Sequence, residues 1–158
     1  MGRRSQRNAD GPMILVDSSV WIGYFNGKIN PQTDWLDVAL GKELIIVGDI
    51  ILAEVLRGFK NDRNFHKAKE LLSTFQFMEM LGRELAVKSA ENYRILRKRG
   101  VTVRKTIDVI ISTFCIHHGI SLVHDDQDFD PLVKYLKLEV IEFSYEPKPI
   151  PSVSITKK

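Results

Sequence analysis

A chain of 158 residues, 44% of them hydrophobic and only one of them cysteine, can bury the core of one ordinary domain without disulfide or structural-metal support. No apolar run approaches the roughly 20 residues of a membrane-spanning helix, and no charged-then-apolar start marks a signal peptide, so a soluble protein of the cytoplasm is expected. The net charge of +3 sits at the ends: Arg3, Arg4 and Arg7 against Asp10 give +2, Lys148, Lys157 and Lys158 against Glu146 give +2, and the body is left at −1, which excludes a uniformly basic nucleic-acid surface.

Residues 1–12 are polar and aperiodic, with Gly2, Gly11 and Pro12, and read as a disordered leader, native or appended. From Met13 onward short apolar runs alternate with helical segments, the pattern of an α/β domain with a mostly parallel sheet covered on both faces. Strands are expected over 13–17, 44–47, 75–81, 120–123 and 139–143, with helices between them that stop near Gly27, Gly58, Gly100 and Gly119. Gly48-Asp49 should cap the helix carrying Glu54, and Thr106 the helix carrying Asp108. Over 84–99, Ala86, Ala90, Tyr93 and Leu96 fall at helical spacing, and Arg94, Arg97 and Lys98 face elsewhere. Cys115 lies in an apolar helical pattern and is expected to be a buried, inert thiol. Residues 145–158, interrupted by Pro147, Pro149 and Pro151, should form a flexible tail. The domain is thus expected over 13–144.

Four acids fall where a strand hands over to a helix or near a helix start: Asp17, Glu54, Asp108 and Asp126. In an alternating α/β chain those positions share one edge of the sheet, where such folds place ligands. Each acid alone also has a structural explanation: Asp17 as a helix cap, Asp108 as a first-turn acid favoured by the helix dipole, Asp126 as turn chemistry beside Asp125 and Asp128. Together, carboxylates in a small volume repel one another unless a cation neutralises them. Mg²⁺ is the cation that all-oxygen donors suit best, with Mn²⁺ as a substitute; the four histidines show no zinc-ligand spacing. A metal held this way lowers the pKa of bound water and stabilises phosphoryl charge, which points to phosphodiester hydrolysis. Ser19 is either a plain helix-start serine or an outer support of a ligand carboxylate, as is Asp128. Arg94, Arg97, Lys98, Arg99, Arg104 and Lys105 bracket the approach to Asp108, either as a solvated helix end or as a group that guides an RNA backbone.

The runs Ile14-Leu15-Val16-Asp17-Ser18-Ser19-Val20-Trp21-Ile22, Ala53-Glu54-Val55-Leu56-Arg57-Gly58, Thr106-Ile107-Asp108-Val109-Ile110-Ile111 and Leu122-Val123-His124-Asp125-Asp126-Gln127-Asp128-Phe129 resemble, in order, the motifs of PIN-domain ribonucleases, and among these the VapC-type toxins of toxin–antitoxin modules. The resemblance implies a three-layer α/β/α sandwich with a short, mostly parallel central sheet. It also implies a metal-dependent endoribonuclease acting on transfer or ribosomal RNA, a homodimer, and inhibition by a VapB-type antitoxin. Residue by residue, Asp17, Glu54 and Asp108 match the three core acids and Asp126 the fourth. Asp125 stands where relatives commonly carry a basic or neutral residue, which leaves the fourth ligand open among Asp125, Asp126 and Asp128. Trp21, Ile22, Tyr24 and Phe25 line one wall of an antitoxin groove or belong to the core. Two other readings compete: a noncatalytic signalling module with an acidic Mg²⁺ pocket, and a PIN-fold nuclease acting on another nucleic acid. The first requires a lysine after a late strand, where this chain has His124-Asp125-Asp126.

Overall fold

Four apolar runs become the strands of one parallel sheet: β1 (Met13–Val16), β2 (Leu44–Gly48), β3 (Gln76–Met78) and β4 (Ser121–Val123), in the order β3-β2-β1-β4. This computed structural model describes residues 11–143, so the expected leader lies outside them except for Gly11 and Pro12, and the tail over 145–158 lies outside them altogether. The central strands β1 and β2 are apolar without alternation because helices cover both faces; Leu15, Val16, Ile45, Ile46 and Val47 are all buried. Their register pairs Ile14 with Ile45 on one side and with Ser121 on the other.

The helices are α1 (Ser18–Phe25), α2 (Pro31–Ala39), α3 (Asp49–Leu56), α4 (Asp62–Leu72), α5 (Gly82–Lys98), α6 (Thr106–His118) and α7 (Asp130–Leu136), with a 3₁₀ turn over Gln127–Phe129. Helix α1 packs on α2 and α3, and α5 packs on α6 and α7. The chain steps from β1 to β2 to β3 in one direction and then returns to the far side of β1 with β4. The sheet therefore reverses its strand order between β1 and β4, the place where open α/β sheets leave a crevice.

Several expectations need correction. Residues 139–143 do not form a strand; a single bridge joins Val140 to Leu122, held by Leu122 N–H to Glu139 O (2.9 Å) and Ile141 N–H to Leu122 O (3.0 Å). The reason is that β4 is only three residues long and α7 ends at Lys137 in the left-handed region (φ 60°), so little edge is left to pair with. Helix α5 buries Leu96 as expected, but its first half is turned by about one position: Leu85 and Ser89 are buried, Ala86 and Ala90 exposed. Its contact with α6 fixes that rotation, with Asn92 Nδ2 donating to Thr113 Oγ1 at 2.9 Å. The cap of α6 is Lys105, and Thr106 is its first helical residue. Gly48 caps α3, while Asp49 Oδ1 accepts from the amides of Ile50 (2.8 Å) and Met80 (3.0 Å) and so ties the end of the β3 connection to the start of α3. A Cβ at Gly48 would run into the Sδ and Cγ of the buried Met80, so any side chain there requires Met80 to shift.

Candidate metal centre

Asp17 leaves β1 with its N–H donating to Val123 O (2.9 Å), a bond that fixes it at the β1–β4 crevice. It caps α1: Oδ2 accepts from Ser19 N–H (3.0 Å) and Ser19 Oγ (2.6 Å). Ser19 Oγ in turn accepts from Asp125 N–H (3.1 Å), so this serine joins the first acid to the loop after β4. Burial pushes the Asp17 carboxyl up, against the pull of the Ser19 bonds. Glu54, on α3, accepts from Ser18 Oγ at 3.2 Å and is pushed up by partial burial and then by the charge of Asp17.

Asp108 lies in the first turn of α6 and is 5% exposed. Burial pushes its carboxyl up to about 6, and the fields of Asp17 and Asp126 add to that, against the neighbouring Lys105. Its Oδ2 is buried with no hydrogen bond and only the Lys105 ammonium at 3.5 Å beside it, a contact that a more closely seated cation would improve. Asp126 caps the 3₁₀ turn, with Oδ1 accepting from Asp128 N–H at 2.9 Å. Desolvation acts on it too, but the Lys105 hydrogen bond and the Asp128 amide outweigh it and hold the carboxyl low.

One oxygen each of Asp108, Asp126 and Asp128 lies within 4.8 Å of the others. Asp17 and Glu54 stand outside that set; Asp17 is coupled to it through the field that raises Asp108, and Glu54 is coupled in turn to Asp17. Asp128, expected as an outer support and as one of three candidates for the fourth ligand, stands with Asp108 and Asp126 in that set. Asp125 is engaged elsewhere: its Oδ2 accepts from Lys28 Nζ (2.6 Å) and Asn30 Nδ2 (3.0 Å). All donors are hard carboxylate oxygens, a set suited to a divalent cation of the magnesium type.

The basic residues divide. Lys105 Nζ sits among the acids, 2.6 Å from Asp126, 3.5 Å from Asp108 and 3.7 Å from Asp128. Arg104 lines both cavities flanking the group: a polar one of about 700 Å³ with Gln32, His124 and Asp126, and one of about 440 Å³ walled by Val101, Val103 and Leu132. Arg94 and Arg97 instead line a groove of about 530 Å³ between α5 and α6, with the Arg97 guanidinium 5.0 Å from the Tyr93 ring centre. Lys98 is exposed at the end of α5. Trp21 is a core residue and no groove wall: it is fully buried, stacked on Phe25 at 6.0 Å and tilted against Phe75 at 5.6 Å. Ile22, Tyr24 and Phe25 keep partial exposure. Sequence reasoning missed Ser18, Lys28 and Asn30, whose partners lie 36, 97 and 95 residues away and leave no local signal.

Fold and site together define an open parallel α/β domain whose switch point carries carboxylates where dinucleotide-binding α/β folds carry glycine-rich turns. The sequence model of the PIN domain matches residues 14–134, and the chain belongs to that family. Among curated proteins it is similar to a VapC ribonuclease of Mycobacterium bovis and to ribonuclease VapC11 of Mycobacterium tuberculosis. Each is 29% identical over 133 residues, 83% of this chain and 99% of the relative. Among solved structures, VapBC2 from Rickettsia felis bound to a promoter DNA fragment has a similar fold (TM-score 0.67, 16% identity, covering 84% of this chain and 99% of that one). FitAcB from Neisseria gonorrhoeae is similar as well (TM-score 0.65, 19% identity, 82% and 97%). No helix among the described residues is long and apolar enough to cross a membrane.

Proposed function

We propose that this protein is a metal-dependent endoribonuclease of the VapC toxin type, acting in the cytoplasm on transfer or ribosomal RNA and restrained by a VapB-type antitoxin. The observation that carries it is the convergence of Asp108, Asp126 and Asp128, with Asp17 and Glu54 coupled to it, at the sheet's switch point in a chain similar over 83% of its length to named ribonucleases. The catalytic unit spans 13–144, works as a homodimer, and has residues 1–12 and 145–158 outside it.

Mg²⁺, replaceable by Mn²⁺, is the cation proposed; when bound it supplies Lewis-acid stabilisation of phosphoryl charge and acidifies water. Asp108, Asp126 and Asp128 would hold it directly, with Asp17 and Glu54 completing the acidic wall. Ser19 keeps the Asp17 carboxylate in one rotamer by its 2.6 Å bond. Arg104, placed between the two flanking cavities, orients the RNA backbone. Water, not the ribose 2′-hydroxyl, is the nucleophile, because no pair of histidines stands at the acids as base and acid; His117 and His118, with rings 4.8 Å apart, lie in the last turn of α6, away from Asp108 in its first.

The test is cleavage of total bacterial RNA by the antitoxin-free protein with Mg²⁺, with EDTA, and with Asp17→Asn and Asp108→Asn variants. Discrete fragments with 5′-phosphate ends are expected, lost with EDTA and reduced at least about a hundredfold in either variant. Cleavage that survives EDTA, or ends bearing 2′,3′-cyclic phosphate, refutes the mechanism.

A further inference from the structure

Lys105 was expected on the RNA-facing side, yet its ammonium lies between the acids. Its Nζ contacts Asp126 at 2.6 Å, Asp108 at 3.5 Å and Asp128 at 3.7 Å, the same three side chains whose oxygens gather within 4.8 Å. A cation bound by these three carboxylates has to occupy the space between them, and two positive centres cannot share it. We propose that Lys105 is a resident counter-ion which stands in the metal's place and must be expelled when the metal binds, so that it sets the affinity of the centre. This rests on the acids being a divalent-metal site.

The fit of the ammonium is incomplete in a way that favours exchange. It satisfies Asp126 with a short bond but stands 3.5 Å from Asp108 Oδ2, an ion-pair contact that leaves this oxygen of a residue only 5% exposed without a hydrogen bond. A compact doubly charged ion reaches what a single ammonium does not. Three carboxylates against one ammonium leave a net −2; replacing the ammonium by a divalent cation leaves −1. Lys105 can leave at little cost. It is the cap of α6, its side chain is 48% exposed, and its flexible four-carbon stem can carry the charge into water. Because the ammonium is half-exposed, its attraction to the acids is screened, and the competition it offers is moderate.

Calorimetric titration of the chelator-stripped full chain with Mn²⁺ tests this in the unsubstituted protein and in Lys105→Met and Lys105→Arg. Lys105→Met removes the charge and should bind Mn²⁺ on the order of tenfold more tightly; Lys105→Arg keeps a cation among the acids and should bind no more tightly than the unsubstituted protein. Equal or weaker binding in Lys105→Met overturns the inference, as does an equal gain in Lys105→Arg, which would mark a structural rather than an electrostatic effect. Should neither the unsubstituted protein nor Lys105→Met take up Mn²⁺, both this inference and the metal-site reading fall. Binding that is normal but indifferent to Lys105 removes this inference alone.

Discussion

Asp17 and Asp108 serve the centre at the expense of the fold. The Asp108 carboxyl rises from 3.8 to about 6 chiefly through burial, so the folded chain holds this proton more tightly than the unfolded chain. Below about pH 4 both states are protonated and the residue costs nothing; as pH rises through 6 the folded state is left with a poorly solvated charge, and stability falls. Asp108→Asn should therefore raise the melting temperature of the protein in EDTA at pH 7.5, by the equivalent of about 1–3 kcal/mol, and leave it unchanged at pH 4. Calorimetric melts at the two pH values check this; a destabilised variant at pH 7.5 contradicts the sign. At this scale the sequence was legible where chemistry follows local position. Asp17 ends a strand and Asp108 begins a helix, and both positions follow from apolar patterning. Lys105 was half legible: its spacing of three from Asp108 can be read off the chain, but its shortest contact is to Asp126, 21 residues on.

Among the elements, the loop after β4 decides how well the acids are held. Lys28 and Asn30, from the turn between α1 and α2, both grip Asp125 Oδ2, and Ser19 Oγ takes the Asp125 amide. Asp125→Ala cuts the first two ties while sparing the inner acids. Since Lys28 is largely exposed, the cost in stability should stay below about 1 kcal/mol, whereas Mn²⁺ affinity should fall several-fold as Asp126 and Asp128 lose their fixed position. Asp126→Ala, by contrast, should abolish tight binding, and similar affinities in the two variants would count against the tether. Gly48 is a second element-scale constraint. Gly48→Ala drives a Cβ against Met80 Sδ and should cost about 1–3 kcal/mol in denaturant melts. Element boundaries are also where sequence reasoning stopped short. The apolar runs of β1 and β2 are self-evident, but the shrinkage of 139–143 to one bridge depends on the length of β4, and the rotation of α5 on its contact with α6; neither partner can be inferred from the segment itself.

For the whole molecule, the alternation of strands and helices was enough to give a parallel sheet with acids on one edge. The order β3-β2-β1-β4 was not legible from the residues alone, because it depends on which side of β1 the last strand inserts. That insertion brings Asp126 beside Asp17 and Asp108, so the centre exists only once the final third of the domain has docked. The folded body is near neutral while its acids converge, and loss of RNA cleavage in high salt is expected to be gradual, traced by activity across a salt series. Docking of the last third also bears on Cys115, which is 1% exposed on the same helix as Asp108 and whose thiol burial pushes up, with the charge of Asp17 adding to it. As the only thiol in the chain, it reacts with an alkylating reagent only when α6 parts from the sheet. Its labelling rate is thus an internal clock for the opening of the helix that carries Asp108. The clock should run slower as Mn²⁺ saturates the far end of that helix, giving a count of closures that needs no RNA at all.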